Sequence, residues 1–91
     1  MGWSCRADAY NTLRRIDEAC FRLTGSTNTF LADGRKWFYE VDREEYEDGR
    51  ITGEYLMFVG ENLADRIGTF TISPDGRLEG GHKWMHDALA S

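Results

Sequence analysis

Apolar residues near the amino terminus recur at intervals of three and four, which is the period of one face of an α-helix. The pattern predicts a helix over residues 4–24, with Ser4 as its N-cap and Gly25 as its C-terminal stop. Charged residues fall mainly between the apolar ones, so the helix is amphipathic. The apolar stripe consists of Ala9, Leu13, Ile16, Cys20 and Leu23.

Beyond residue 25 the apolar period changes to two, which is typical of strands with one face against a core. Asp33-Gly34, Asp48-Gly49 and Pro74-Asp75-Gly76 are turn signals between the alternating runs. Helical spacing returns over residues 82–91, where Trp84, Met85, Ala88 and Leu89 form the apolar side. The predicted strands cover 26–32, 35–42, 50–60, 66–73 and a short edge strand at 77–80, with 61–65 as a connection.

Consecutive strands that are joined by short turns form an antiparallel meander. A meander cannot bury its own face, so another layer must cover it. The long N-terminal helix and the short C-terminal helix are the two candidates. The sequence therefore predicts one α+β domain over residues 1–91, with two layers: a meander of four to five strands and both helices on one face of it.

Side chains alternate across a strand, so charged positions indicate which face lies away from the helices. The face that carries Glu40, Glu54, Thr69 and Thr71 is predicted to face outward. The helices are then predicted to pack on Trp37, Tyr39, Val41, Tyr55, Met57, Val59, Phe70 and Ile72.

This assignment leaves Phe38, Leu56 and Phe58 on the outer face, in phase with Lys36 and the charged positions. Three interpretations are open. The two Phe rings cover one another as cross-strand neighbours, or the residues bind a partner or a second copy, or the two faces are inverted.

The net charge of −5 and the isoelectric point near 4.9 disfavour binding to nucleic acid or to an anionic membrane. Aromatic residues on a sheet could stack on RNA bases, but here Glu40 and Glu54 lie between them instead of Lys or Arg. No signal peptide and no apolar run of about 20 residues is visible. We therefore expect a cytoplasmic protein in which Cys5 and Cys20 are free thiols.

The stretch "DREEYEDGR" at 42–50 is rich in acid, but its spacing does not fit a calcium-binding EF-hand loop, which needs Gly at the sixth position and a carboxylate at the twelfth. We interpret it as a solvated loop between two strands.

His82 and His86 have the i, i+4 spacing that can bind one metal ion on a helix. Cys5 and Cys20 cannot join them as a pair, because a continuous helix holds these two more than about 20 Å apart. Cys20 also lies on the apolar stripe, which favours a buried structural cysteine over a nucleophile. We predict no metal ligands, no cofactor and no catalytic residues.

Two functions remain. The first is a non-enzymatic interaction module whose anchors are Phe38, Leu56 and Phe58, with Glu40, Glu54, Thr69 and Thr71 around them. Its partner is another protein or a second copy of the chain. We expect the homodimer to tighten as salt screens the repulsion of the acidic loop at Asp42–Asp48. The alternative is a small-ligand or catalytic domain with a site near His82 and His86.

Overall fold

The computed structural model describes residues 2–42, 48–61 and 64–91, and side chains from residue 7 onward. It confirms the predicted α+β fold: along the chain, one helix precedes and one helix follows the five strands of a single sheet. The elements are α1 (Gly2–Thr24), β1 (Thr29–Ala32), β2 (Arg35–Val41), β3 (Ile51–Phe58), β4 (Ala64–Ile72), β5 (Leu78–Gly80) and α2 (Lys83–Ala90).

The sheet is an antiparallel meander in the order β1-β2-β3-β4-β5. Asp33 and Gly34 join β1 to β2, and their φ angles of 57° and 70° fit the two-residue turn whose twist matches a hairpin. Between β3 and β4 the register shifts: Tyr55 pairs with Gly68, but Leu56 pairs with Arg66. Ile67 is therefore the extra residue of a β-bulge.

The core lies on one side of the sheet, between it and the two helices. Ala9, Ile16 and Cys20 of α1 are fully buried there, as is Met85 of α2. The predicted inner face is correct for the sheet: Trp37, Tyr39, Phe70 and Ile72 are buried, and Val41, Tyr55 and Met57 pack against them half-buried.

Two glycines allow aromatic rings to lie flat on the inner face. A Cβ atom at residue 53 would lie 2.5 Å from the Phe70 ring, and one at residue 68 would lie 2.8 Å from the Tyr55 ring. Gly53 is also directly opposite Phe70 in the register, as Gly68 is opposite Tyr55. An aromatic ring that covers a cross-strand glycine fixes the pairing of its strands.

Three predictions about single residues were wrong. Ser4 is not the N-cap, because α1 already begins at Gly2. Leu23 is 46% exposed, because it borders an open groove between α1 and α2. Val59 is also about half exposed, because β3 ends at Phe58 and no strand pairing holds the next residue inward.

Several predicted element ends also differ. Ala64 and Asp65 belong to β4 and not to the preceding connection, because the bulge lets pairing continue as far as Phe58. The predicted C-terminal stop at Gly25 is correct, since its φ angle is 82° and its N–H donates to Phe21 O at 2.9 Å. The centre of the acidic stretch, residues 43–47, lies outside the described residues, as does the side chain of Cys5.

Candidate interaction face

The outer face is the side of the sheet that lies away from the helices, and the strand register orders its residues in rows. Phe38 of β2, Leu56 of β3 and Arg66 of β4 are paired in one row. The next row pairs Glu40 and Glu54 with Thr69. The structure thus brings all seven predicted residues to one face, namely Phe38, Glu40, Glu54, Leu56, Phe58, Thr69 and Thr71; their role as a binding site stays a prediction.

The apolar part of the outer face centres on two aromatic rings. The ring centroids of Phe38 and Phe58 are 4.9 Å apart, with a 44° angle between the planes, and the Lys36 ammonium lies 5.0 Å from the Phe58 centroid. The rings therefore do cover one another in part, as one of the open interpretations expected. Nevertheless Phe38, Leu56 and Phe58 remain only half-buried and do not belong to the core.

Two further apolar residues extend this surface to the neighbouring strands. Leu31 of β1 pairs with Lys36 and is 49% exposed. Ile67, the bulge residue of β4, is 47% exposed. Exposed or half-buried apolar residues therefore occur on four strands, with Lys36 between Leu31 and Phe58, which is wider than the sequence predicted.

One ion pair neutralises part of the acidic row. The side chains of Glu40 and Glu54 are directly opposite each other, an arrangement of like charges that destabilises a strand pair. Arg66 offsets this repulsion, because its Nε lies 2.8 Å from Glu54 Oε2.

Sequence reasoning did not place Arg66 on this face, because strict alternation puts it in phase with Phe70 and Ile72 on the inner face. The bulge at Ile67 reverses the phase. A charged residue in phase with a buried run was the signal that could have revealed the bulge, since an unpaired charge in the core is costly.

One side chain from each helix caps one backbone carbonyl at an edge of the sheet. The Asn28 carbonyl accepts a hydrogen bond from Tyr39 N–H, so the carbonyl of the next residue, Thr29, points to the other side, away from β2. On that side the Thr29 carbonyl accepts a hydrogen bond from Thr24 Oγ1 at 3.0 Å. At the other edge the Gly80 carbonyl accepts a 2.6 Å hydrogen bond from His86 Nε2. Because capped groups are poor templates for another strand, strand addition is disfavoured at these two positions.

Both histidines near the carboxyl end are engaged in structural contacts. His82 is the N-cap of α2: its Nδ1 accepts from Trp84 N–H at 2.9 Å, and its Nε2 lies 3.3 Å from Asp33 Oδ2. The His82 ring is packed 4.4 Å from the Trp37 ring. His86 Nε2 must donate, because its partner is a carbonyl.

Metal coordination by this histidine pair would require a different arrangement of both rings. Within residues 2–42, 48–61 and 64–91 no group of three or more His, Cys, Asp or Glu side chains could hold a metal ion.

A partly buried polar cluster joins α1 to β2, and the apolar periodicity of the sequence does not indicate it. Tyr39 Oη contacts Asp17 Oδ1, lies 2.7 Å from Thr27 O, and accepts a hydrogen bond from Cys20 Sγ at 3.7 Å. The single phenolic proton cannot serve both the carbonyl and a carboxylate. Tyr39 Oη therefore donates to only one of these two acceptors, Asp17 Oδ1 or Thr27 O, at a time.

Burial governs the protonation of this cluster. It raises the pKa of Asp17, and the hydrogen bond from Tyr39 opposes that shift. Burial also raises the pKa of the Cys20 thiol to about 11 and that of Tyr39 well above its usual range. Cys20 is therefore a protonated, hydrogen-bonded core residue at neutral pH and not a nucleophile.

The comparisons with known proteins give no family and no relative. The chain matches no protein-family model, no curated protein sequence and no solved structure. Among the helices of the described residues, none is long and apolar enough to cross a membrane.

Proposed function

We propose that this protein is a non-enzymatic protein–protein interaction module that binds through its outer face. The observation that carries the proposal is the apolar surface of Phe38, Leu56 and Phe58, which lies outside the core, together with the half-exposed Leu31 and Ile67 on the flanking strands. Soluble domains rarely leave a contiguous apolar surface uncovered unless it contacts something.

The composition of the outer face supports the proposal. Apolar anchors lie at its centre, and charged or hydroxyl side chains such as Glu40, Glu54 and Thr69 lie beside them. Aromatic residues at the centre with polar residues around them are the usual composition of a protein interface. The capped carbonyls of Thr29 and Gly80 favour binding to the face over the addition of a strand.

The contacts of both rings disfavour the alternative site around His82 and His86. Each ring already uses a nitrogen to hold the backbone of α2 or β5. The His82 side chain is only 12% exposed, so a ligand would have to displace the N-cap of α2 to reach it.

We also propose that the module works in a reducing compartment, such as the cytoplasm. The support is Cys20, a free buried thiol that takes part in the hydrogen bonds of the core. Free thiols persist where disulfides are kept reduced.

The test compares two matched substitutions of neighbouring residues. Phe58→Ser removes an anchor of the outer face, and Val59→Ser removes an exposed apolar residue that lies beyond the end of β3. Circular dichroism and thermal melting check the fold, and sedimentation velocity together with capture of proteins on the immobilised chain measures binding.

We expect both variants to stay folded, and we expect Phe58→Ser alone to lose binding to itself or to a captured protein. An unfolded Phe58→Ser chain would show that this residue belongs to the core, and equal binding by the two variants would show that the outer face is not used. Either result would refute the proposal.

A further inference from the structure

We propose that the outer face binds a second copy of the same chain, about a two-fold axis that crosses β2 at Phe38 and runs across the strands. This inference rests on the proposed function and names its partner. In such a dimer the β2 strands of the two copies face each other and run in opposite directions.

The outward residues of β2 form a triplet whose charges are complementary to those of a second β2 strand that runs in the opposite direction. Lys36, Phe38 and Glu40 carry a positive, an apolar and a negative side chain at equal spacing along one strand. Lys36 and Glu40 are both exposed and, as positions four residues apart on a strand, lie about 13 Å from each other. When β2 is rotated by the proposed axis, Lys36 comes opposite the partner's Glu40, and Glu40 comes opposite the partner's Lys36.

The charges select this orientation over the other simple one. A two-fold axis that runs along β2 would place Lys36 on the partner's Lys36 and Glu40 on the partner's Glu40, so both contacts would be repulsive. The axis across the strands instead forms two attractive contacts around the centre. Complementary charges of this kind fix the register of an interface.

The neighbouring strands place one apolar and one charged residue on the same axis. Leu56 is paired with Phe38 and with Arg66, so the axis passes through all three, and each of them would meet its own counterpart in the second copy. The contact between the two Arg66 side chains is one of like charges. Arg66 is already paired with Glu54 within its own chain, so these two charges oppose the pairing less than unpaired ones would.

The outer face has the size of a small interface. Its five strands have four, seven, eight, nine and three residues. At about 4.8 Å spacing between strands and about 3.3 Å rise per residue, they give a plan area of roughly 500 Å². The relief of the side chains raises the accessible area above this value, toward the roughly 800 Å² per partner of a standard interface. The contact is isologous, so it closes as a dimer and does not extend into a fibre.

Exchange of the charges at positions 36 and 40 tests the inference more directly than a change of salt concentration. Salt weakens the attractive contacts between the two faces and also the repulsion between two chains of net charge −5, and these two effects oppose each other. Glu40→Lys makes both ends of the triplet basic, and Lys36→Glu makes both ends acidic. Each variant alone would form like-charge contacts with itself, whereas an equimolar mixture of the two restores opposite charges at both positions. The double variant Lys36→Glu/Glu40→Lys keeps the net charge of the natural chain and is the matched control.

Sedimentation equilibrium at neutral pH measures the outcome, with circular dichroism as the check on folding. We expect each single variant to dimerise at least about tenfold more weakly than the natural chain, and the mixture and the double variant to recover the natural affinity. Two results would overturn the inference: single variants that dimerise as well as the natural chain, or a mixture that stays as weak as its components. A natural chain that is monomeric but still captures a protein through Phe58 would overturn self-pairing and leave the proposed function standing.

Discussion

Phe38 and Phe58 lie on adjacent strands with their ring centroids 4.9 Å apart, on the side of the sheet opposite the core. Phe30, by contrast, is fully buried on the inner side, where its ring stacks 4.6 Å from that of Trp84. The same residue type therefore occupies two different environments in one small domain, and this difference leads to a quantitative prediction.

Truncation of Phe30 is expected to cost far more stability than truncation of Phe38. Phe30→Ala removes a fully buried ring and should lower the free energy of unfolding by about 3–5 kcal/mol. Phe38→Ala removes a half-buried ring from the outer face and should cost about 1 kcal/mol. Urea denaturation of the monomeric state, at protein concentrations low enough to exclude association, measures both. Equal costs would show that the outer face is part of the core.

Replacement of Asp17 is expected to change how stability depends on pH. Burial raises the pKa of Asp17 in the folded protein above its ordinary value of 3.8. The folded state then holds this proton more tightly than the unfolded state, so the stabilisation is complete below pH 3.8 and is lost as pH rises through the folded-state pKa. Asp17→Asn removes this titration.

The difference in unfolding free energy between Asp17→Asn and the natural chain should therefore shift in favour of the variant as pH rises from about 4 toward neutrality. Denaturation curves at several pH values measure this difference, and Asp75→Asn is the control. The pKa of Asp75 is lowered by its hydrogen bond from Ser73, so its effect should have the opposite sign and should appear as pH falls below its ordinary pKa of 3.8. A pH-independent difference for Asp17→Asn would contradict a raised pKa of Asp17 in the folded protein.

The Cys20 thiol is expected to be unreactive in the folded protein. It is fully buried, and its pKa is raised to about 11, chiefly by that burial. In a Cys5→Ser chain, which leaves Cys20 as its one cysteine, a thiol reagent at pH 8 should label the native protein at the rate of unfolding and the denatured protein at once. Rapid labelling of the native chain would mean that Cys20 is accessible and ionised.

The N-cap of α2 is expected to depend on the Nδ1 atom of His82. His82→Ala loses the hydrogen bond to Trp84 N–H and should cost about 0.5–2 kcal/mol from the cap alone, with a further loss from the contact with Trp37. His82→Asn supplies another good capping residue and should recover the cap contribution. Thermal melts of the two variants measure the difference, and if they proved equally stable, the cap would have no energetic role.

The periodicity of the sequence was sufficient to predict the layers of the fold. Spacings of three and four along α1, and of two along β2 and β3, place the apolar residues on faces that pack together, and Asp33-Gly34 selects its turn through positive φ angles. These are local signals, so they can be read without knowledge of distant contacts.

The features that escaped prediction all depend on contacts between distant parts of the chain. The bulge at Ile67 moved Arg66 to the outer face, and the pairing of Asp17 with Tyr39 joins residues 22 positions apart. The exposure of Leu23 depends on how α2 packs beside α1. Alternation alone cannot reveal any of these three features.

The central claim is that the outer face is covered by a second copy of the chain, and the mass in solution tests it most directly. Sedimentation equilibrium at neutral pH and moderate salt should give twice the chain mass of 10.5 kDa for the natural protein at high concentration, and the single chain mass for folded Phe58→Ser. A natural protein that keeps the mass of one chain at high concentration would contradict the claim.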